Sequence, residues 1–383
     1  MRRATTPHAS GGDVATAGAP LTPALRLAIA RFLGRPVVEP DDAVVRPVPG
    51  GHIHASFVVA SRGTTLFLQR LNEQVFPDLA AVEHNLARIT PVLRLAAERD
   101  PVRERRRRVL TPAPSDQGRL VERDADGGAW RAFQFIPDAH SVTVAERPSQ
   151  AAEAARAFGT FFRDLAAFDS RELRETIPHF HDTPRRLAAL DHATRADVAH
   201  RAHTAAPELA FAAERHPLGA RLIGALQAGR LPLRVTHNDA KIANVLFDNA
   251  TGEALCVVDL DTVMPGLAAW DVGDLVRSMA SLNAEDDPRP VTLRWEVLTP
   301  LLHGWIEAAG PALTPGERAS LVDGALVIAF EQGVRFLVDY LEADRYYMAD
   351  RPGQNLDRAR AQFALLRALE AADDRLRRLV ESV

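Results

Sequence analysis

Val235-Thr236-His237-Asn238-Asp239-Ala240-Lys241-Ile242-Ala243-Asn244-Val245-Leu246-Phe247, followed by Leu255-Cys256-Val257-Val258-Asp259-Leu260-Asp261, is the stretch on which the fold turns. Short apolar runs at 233–235, 245–247 and 255–258 read as strands, and Asp248-Asn249-Ala250-Thr251-Gly252 reads as the turn joining the last two. Polar residues crowd the strand ends. Asp239 and Asn244 lie between two strands, and Asp259 closes the third. The hairpin therefore brings Asn244 and Asp259 to adjacent strand ends, where one cation can bridge them. Asp261 shares a face with Asp259 if the strand continues, because side chains alternate along a strand. Carboxylates beside apolar strands are costly to desolvate unless cations or hydrogen bonds compensate them. Mg²⁺ takes hard oxygen ligands of the kind Asn and Asp supply. A carboxylate able to take a hydroxyl proton, then an amide oxygen and a second carboxylate for Mg²⁺, form the ordered set that phosphoryl transfer uses.

Working outward, the chain divides in two. Residues 21–34 read as a helix, with Thr22 as cap, Pro23 in the first turn and Leu25, Leu27, Ile29, Phe32 and Leu33 as apolar positions. Strand-like runs at 44–45, 57–59 and 66–68 come next, separated by Pro49-Gly50-Gly51 and Ser61-Arg62-Gly63. Asp78 to Thr90 is helical, with Leu79, Val82, Leu86 and Ile89 on one stripe, and Pro91 is expected to kink or end it. Arg108-Val109-Leu110, Arg119-Leu120-Val121 and Trp130 to Ile136 read as further strands, with Asp126-Gly127-Gly128 as a turn. Beyond Pro137 the pattern is helical over 151–168, 184–230, 270–282, 295–309, 315–342 and 354–380, broken by the strand-rich segment 233–262. This is not the alternating rhythm of a doubly wound parallel sheet. It predicts an α+β, two-lobed, protein-kinase-like fold. Residues 1–20 would be a disordered tail and 21–137 an N-terminal nucleotide-binding lobe on an antiparallel sheet. Residues 138–383 would be a larger, mostly helical lobe for catalysis and acceptor binding. Ile136-Pro137-Asp138 is the natural hinge.

The first lobe should hold the nucleotide. Val48-Pro49-Gly50-Gly51-His52-Ile53 lies between strands, where glycines let a backbone approach phosphates closely. It lacks G-x-G-x-x-G, and no G-x-x-x-x-G-K-[ST] occurs anywhere, so an ordinary hairpin turn stays open for Gly50 and Gly51. Gln69-Arg70 ends an apolar run, at the place where a kinase keeps a lysine paired to a helix glutamate. Lys241 is the only lysine in the chain. Arg70 must therefore stand there, with Glu83 on the next helix as its partner. Arginine binds phosphate bidentately and stays charged. Gln134, Phe135 and Ile136, at the hinge, complete the expected nucleotide contacts.

Bulk properties exclude several classes. The 383 residues are 46% apolar and 25% charged, with a formal net charge of -4, which gives no support for nucleic-acid binding. A single cysteine, Cys256, rules out an intrachain disulfide and a Cys-rich metal site. His52 and His54 have no further ligands spaced to complete a zinc site. The basic start Met1-Arg2-Arg3 is not followed by an apolar run of about 7 to 15 residues, so no signal peptide is expected. No window approaches about eighteen uninterrupted apolar residues, so no membrane span is expected. Arg105 to Arg108 reads as a solvated edge before a strand. Asp271 and Asp274 read as residues that hydrogen-bond the catalytic loop or cap a helix. A cytoplasmic monomer or homodimer acting on a small molecule fits these bounds.

The motif His237-x-Asp239-x4-Asn244 with Asp259 resembles the aminoglycoside phosphotransferase and choline kinase superfamily, and within it the N-acetylhexosamine 1-kinase group. Matching stretches are Gly51-His52-Ile53, Leu68 to Asn72, Phe180-His181-Asp182-Thr183, Val258 to Gly266, Asp271-Val272-Gly273-Asp274 and Arg335 to Tyr340, spanning about 45–360. The resemblance implies ATP and Mg²⁺, and phosphorylation of the anomeric hydroxyl of a free hexosamine derivative. An antibiotic phosphotransferase on the same scaffold is the alternative. The resemblance assigns Asp239 as base and Asn244 and Asp259 as metal ligands; Asp261 reads either as a second metal ligand or as an acceptor behind them. It places His52 near the acceptor or γ-phosphate, and Arg335 and Tyr347 on the sugar side. The sequence departs at His54 and Ala55, where Asn and Asp are expected, and at Ala243, where a second Asn is often seen.

Overall fold

The computed structural model describes residues 21–37, 42–49, 53–99 and 108–383. They form two compact units, one within Met1–Val75 and Pro112–Phe135, the other within Phe76–Thr111 and Ile136–Val383. The expected tail at 1–20, and Gly50, Gly51 and His52, lie outside the described residues.

The smaller unit is helix α1 (Pro23–Leu33) on an antiparallel sheet. Its strands are β1 (Val44–Val48), β2 (Ala55–Ser61), β3 (Thr64–Arg70), β4 (Pro112–Ala113), β5 (Val121–Arg123) and β6 (Ala129–Gln134). Their order is β1-β2-β3-β6-β4, with β5 also on β6. Thr22 Oγ1 accepts from Leu25 N at 3.3 Å and Gly34 ends the helix in the left-handed region at φ 66°, so α1 starts and stops where the sequence predicts. Leu25, Ala28, Ile29 and Phe32 of α1 pack on Val45, Val59, Leu66, Leu68, Trp130 and Ala132 of the sheet. Burial of that apolar face holds the unit together. The strand expected at 119–121 begins two residues late, at Val121.

The larger unit begins with α2 (Leu79–Glu98), which continues past Pro91. Of the two expectations for Pro91, a kink or an end, the end is corrected: a proline removes one N–H bond, but Leu93 and Ala97 beyond it are buried and carry the helix on. Buried Asn85 anchors α2 by donating to Arg174 O (2.8 Å) and Val263 O (2.9 Å) and accepting from Arg174 N (2.9 Å). The strand expected at 108–110 reduces to a single parallel bridge, Val109 to Val257.

Next come β7 (Ala139–His140), α3 (Pro148–Asp164), α4 (Thr183–Ala196), α5 (Ala206–Glu214), α6 (His216–Gly219) and α7 (Arg221–Gln227). The single helical region expected over 184–230 is thus four pieces, broken at Asp197, which caps α4 in the left-handed region. Then β8 (Arg234–Thr236), β9 (Val245–Asp248), β10 (Ala254–Val257) and β11 (Met264–Gly266) lead into α8 (Ala268–Met279). Helices α9 (Trp295–Ala309), α10 (Pro315–Leu341), α11 (Gln354–Ala371) and α12 (Asp373–Glu381) complete the unit. The strand-rich segment is two sheets, β10-β9-β7 and β11-β8, both antiparallel. The strands β7 and β11 were not expected; at two and three residues they are too short to show a period.

Helices α8 and α10 pack closely, and their residues support the loop between β8 and β9. A Cβ on Gly324 would run into the Ala269 carbonyl, and one on Gly273 into Gly324 O, so the two backbones touch where only glycine fits. Among the described residues, no helix is long and apolar enough to cross a membrane.

Candidate active site

The loop between β8 and β9 is held from below by α8. Asp271 Oδ2 accepts from His237 N (2.9 Å) and its Oδ1 from Asn238 N (2.7 Å). Asp271 is buried; burial pushes its carboxyl above the usual value, while His237 and the two N–H groups pull it back. The first expectation for Asp271, a hydrogen bond to the loop, is met.

Asn238 takes the left-handed conformation (φ 63°), which Asn tolerates better than most residues. Its amide nitrogen donates to Thr236 O and Thr262 O (2.9 Å to the latter), and its Oδ1 accepts from Thr236 Oγ1 (3.0 Å). A Cβ on Gly266 would collide with Thr236 Oγ1 and Asn238 Oδ1, so β11 also needs glycine here. His237 Nε2 lies 3.0 Å from Val258 O and its Nδ1 3.3 Å from Asp239 N, so both ring nitrogens tie it into the loop. Phe158 meets the same ring edge-on at 5.2 Å.

These anchors present Asp239. Its Oδ2 accepts from Lys241 Nζ (2.8 Å) and Asn244 Nδ2 (3.0 Å), and Asn244 Nδ2 also donates to Asp239 O (2.8 Å). Burial pushes the carboxyl up, but Lys241, His237 and Asn244 outweigh it and hold the pKa at about 2. For Lys241, burial pulls down and the charges of Asp239, Asp259 and Asp274 more than reverse it, so the amine stays protonated. With the amide nitrogen of Asn244 facing two acceptors, its Oδ1 points the other way.

Val258 N donates to Asn244 O at 2.9 Å, extending the β9–β10 pairing by one step to bring Asp259 beside Asn244. Asp259 stands in the left-handed region (φ 62°, ψ 58°), and residues 260–262 form a 3-10 turn. The reasoning that put Asp261 on one strand face with Asp259 is corrected: the strand ends at Val257, and Asp261 is buried in the turn behind. The amide oxygen of Asn244 and the Asp259 carboxylate are hard oxygen donors, so the residues present fit Mg²⁺. Among the described residues no group of three or more His, Cys, Asp or Glu side chains forms a metal cluster.

A second layer comes from α10. His181 Nε2 donates to Asn238 O (2.9 Å) and its Nδ1 to Glu331 Oε1 (2.9 Å), while Thr183 Oγ1 donates to Glu331 Oε2 (2.6 Å). Both ring nitrogens thus face an acceptor, one on the loop and one on α10. Burial pushes the Glu331 carboxyl up, but His181, Arg335 and Thr183 bring it below its usual range. One helical turn on, Arg335 lies over the rings of Phe180 (5.1 Å) and Tyr347 (5.8 Å) and donates to Gln332 Oε1 (3.2 Å). Gln332 Nε2 reaches Tyr347 OH at 3.5 Å. Arg335 and Tyr347, both expected on the acceptor side, are therefore neighbours. Burial raises the Tyr347 hydroxyl pKa. Asp274 accepts from Arg277 Nε (2.7 Å), and the charge of Asp239 also acts on Arg277.

In the smaller unit, alternation along β3 puts Arg70 on the face of Leu66 and Leu68, with its guanidinium 6.0 Å from the Trp130 ring and close to Asp124. Asp124 accepts from Trp130 Nε1 (2.8 Å) and Gly128 N (2.8 Å). The opposite face carries Gln69 and, paired with it in register, buried Arg131, whose Nε and Nη2 donate to Gln69 Oε1 (3.0 and 2.8 Å). Gln134 ends β6, Phe135 N bonds Thr65 O (3.2 Å) with its ring exposed, and Ile136 begins the second unit, buried. Glu83 lies on α2 of the larger unit.

The sequence reading missed Arg131, Glu331 and the hold of Lys241 on Asp239. Arg131 had a signal, an arginine inside the apolar strand Trp130–Phe133. Glu331 had none, since it depends on a helix approaching from 150 residues away.

A family model described as the phosphotransferase enzyme family matches residues 44–305, more than half of the chain. The chain belongs to that family. Solved structures similar to this phosphotransferase include an aminoglycoside phosphotransferase from Alicyclobacillus acidocaldarius, with 16% identity, 88% of this chain and 93% of that one covered and a TM-score of 0.57. A Plasmodium vivax ethanolamine kinase shares 11% identity over 90% of this chain and 88% of its own, with a TM-score of 0.56. A spectinomycin phosphotransferase, solved with ADP and spectinomycin, shares 13% identity over 85% and 93%, with a TM-score of 0.54. At these identities the likeness shows the fold, an antiparallel-sheet lobe and a mostly helical one of the kinase-like kind.

Proposed function

We propose that this phosphotransferase uses ATP and Mg²⁺ to phosphorylate a hydroxyl of a small sugar, in particular the anomeric hydroxyl of an N-acetylhexosamine or a related hexose. The observation that carries the transfer reaction is the Asp239 carboxylate fixed between Lys241 and Asn244, with Asp259 beside Asn244. Asn244 and Asp259 would hold Mg²⁺, which when bound neutralises phosphate charge. Asp239 orients the acceptor hydroxyl. The hydroxyl oxygen forms the bond to the γ-phosphorus, the bond from phosphorus to the bridging oxygen breaks, and the proton passes to Asp239. A carboxyl held at about 2 is a weak base, so proton transfer belongs late, as the new bond forms. Lys241, protonated, is placed to turn toward phosphate and release Asp239 as it does so. For the nucleotide, Arg70 at the end of β3 is the candidate phosphate contact, with Arg131 a second guanidinium on the opposite face of the sheet and Gln134, Phe135 and Ile136 along the connection.

The sugar reading is supported by Arg335, Tyr347 and Gln332, which offer hydroxyl-binding donors beside an aromatic face. A polycationic aminoglycoside would meet the charge of Arg335 instead. The test is an ADP-release screen over free hexoses, N-acetylhexosamines, aminoglycosides and choline. Turnover with N-acetylhexosamines supports the proposal; turnover confined to aminoglycosides or choline overturns it.

A further inference from the structure

Two guanidiniums in the larger unit stand together without a carboxylate. Arg186, on the first turns of α4, donates from Nη2 to Phe180 O (3.1 Å), with a longer contact to His179 O (3.5 Å). Its Nε is shut off from solvent and meets no acceptor. Arg335 stacks over the ring of the same Phe180 at 5.1 Å. Among the described residues neither makes an ion pair, whereas Arg277, Arg234, Arg215 and Arg377 in the same unit all do. Burial, followed by the charge of Arg335, lowers the pKa of Arg186. The carboxylate whose charge acts on both, Glu331, is already engaged by His181 and Thr183. Both side chains are half-buried, and like charges held close together away from full solvent are costly and as a rule paired.

The geometry points to an anion subsite on Arg186 and Arg335: the acceptor carries a carboxylate or phosphate group away from the hydroxyl that reacts. Arginine forks suit both groups bidentately. The pair borders Tyr347, and the field of Arg335 reaches Arg277, which in turn feels Asp239. Glu331, one helical turn before Arg335, is joined through His181 to Asn238 of the loop that carries Asp239, which ties the pair to that loop. This inference rests on the sugar reading for its acceptor assay, and it has a binding assay that does not.

The acceptor assay compares kcat/KM for N-acetylglucosamine, N-acetylglucosamine 6-phosphate and glucuronic acid, in wild type and in Arg186→Gln and Arg335→Gln. At least one acidic sugar is expected to exceed the neutral one by ~10-fold or more, the scale of one charge-assisted hydrogen bond. Each variant should lower that ratio by a similar factor. The 6-phosphate and the uronic acid distinguish phosphate from carboxylate. A neutral sugar preferred in wild type, with a ratio that Arg186→Gln leaves unchanged, overturns the subsite. Should no sugar of either kind release ADP, the sugar reading fails by itself. The subsite is then decided by the thermal shift that inorganic phosphate produces: a rise in Tm lost in Arg186→Gln supports it, and equal behaviour of wild type and variant overturns it.

Discussion

The loop from His237 to Asn244 and the arginine pair at Arg186 and Arg335 belong to the same unit, yet they treat charge in opposite ways. In the loop, Asp271 takes two backbone N–H groups, Asn238 uses both ends of its amide, and Asp239 has two donors on one oxygen. At the arginine pair, two guanidiniums share one phenylalanine and no carboxylate. The loop is organised before any ligand arrives, as electrostatic catalysis requires. The pair is left for something from outside to complete. On the reading proposed above, the chemistry is built in advance and the selectivity is completed by the acceptor.

Perturbing each region in turn tests this contrast. The largest effect should come from Asp259→Ala, which removes the carboxylate beside Asn244. Mg²⁺-dependent ADP release should be lost, and ordinary Mg²⁺ dependence in the variant would end the metal assignment. Asp239→Asn should lower kcat by ~10² to 10⁴-fold, the range for a general acid–base group; unchanged turnover would take Asp239 out of that role. Asp271→Ala leaves two buried N–H groups without an acceptor. At roughly 1–3 kcal/mol each, it should destabilise the protein by about 2–6 kcal/mol in denaturant titration. A loss below ~1 kcal/mol would mean that the loop holds itself.

Two further changes are expected to be smaller. The Asp239 carboxyl is held at about 2 against 3.8, so its stabilisation is complete above 3.8 and is lost as pH falls toward 2. Asp239→Asn should therefore unfold less steeply between about pH 4 and 2; identical slopes would show that Lys241 does not hold the carboxylate. The smallest change is expected for Arg186→Gln, within about 1 kcal/mol of wild type, because loss of a bond to Phe180 is offset by relief of like-charge repulsion. A large destabilisation would make Arg186 a structural residue and dissolve the contrast.

Much of the site could be read from the sequence because it lies within one short span. The Asp239–Asn244–Asp259 hairpin depends on neighbours in the chain, and strand alternation with a turn was enough to place them. The helix α1, with its cap and terminal glycine, was legible for the same reason. Asp261 does not share a strand face with Asp259 because the strand stops at Val257 and a left-handed Asp259 leads into a turn, which nothing local in Asp-Leu-Asp signals. Pro91 misled because burial on both sides of it outweighs one lost hydrogen bond. Glu331 and Arg186 were invisible as site residues. They act through contacts made by helices far apart in the chain, and the close packing of α8 on α10 that brings Glu331 to the loop rests on two glycines whose role appears only in three dimensions.

The solitary lysine has one more implication, for covalent chemistry. Acylating or alkylating reagents selective for side-chain amines meet a single such group in this chain, at Lys241. It is about one-third exposed and bound to Asp239 as a protonated ion, which makes it a slow nucleophile until that carboxylate is removed or occupied. Any lysine-directed mark on this protein is therefore a mark on its catalytic loop, and the rate of marking is a gauge of whether the Asp239 ion pair is closed.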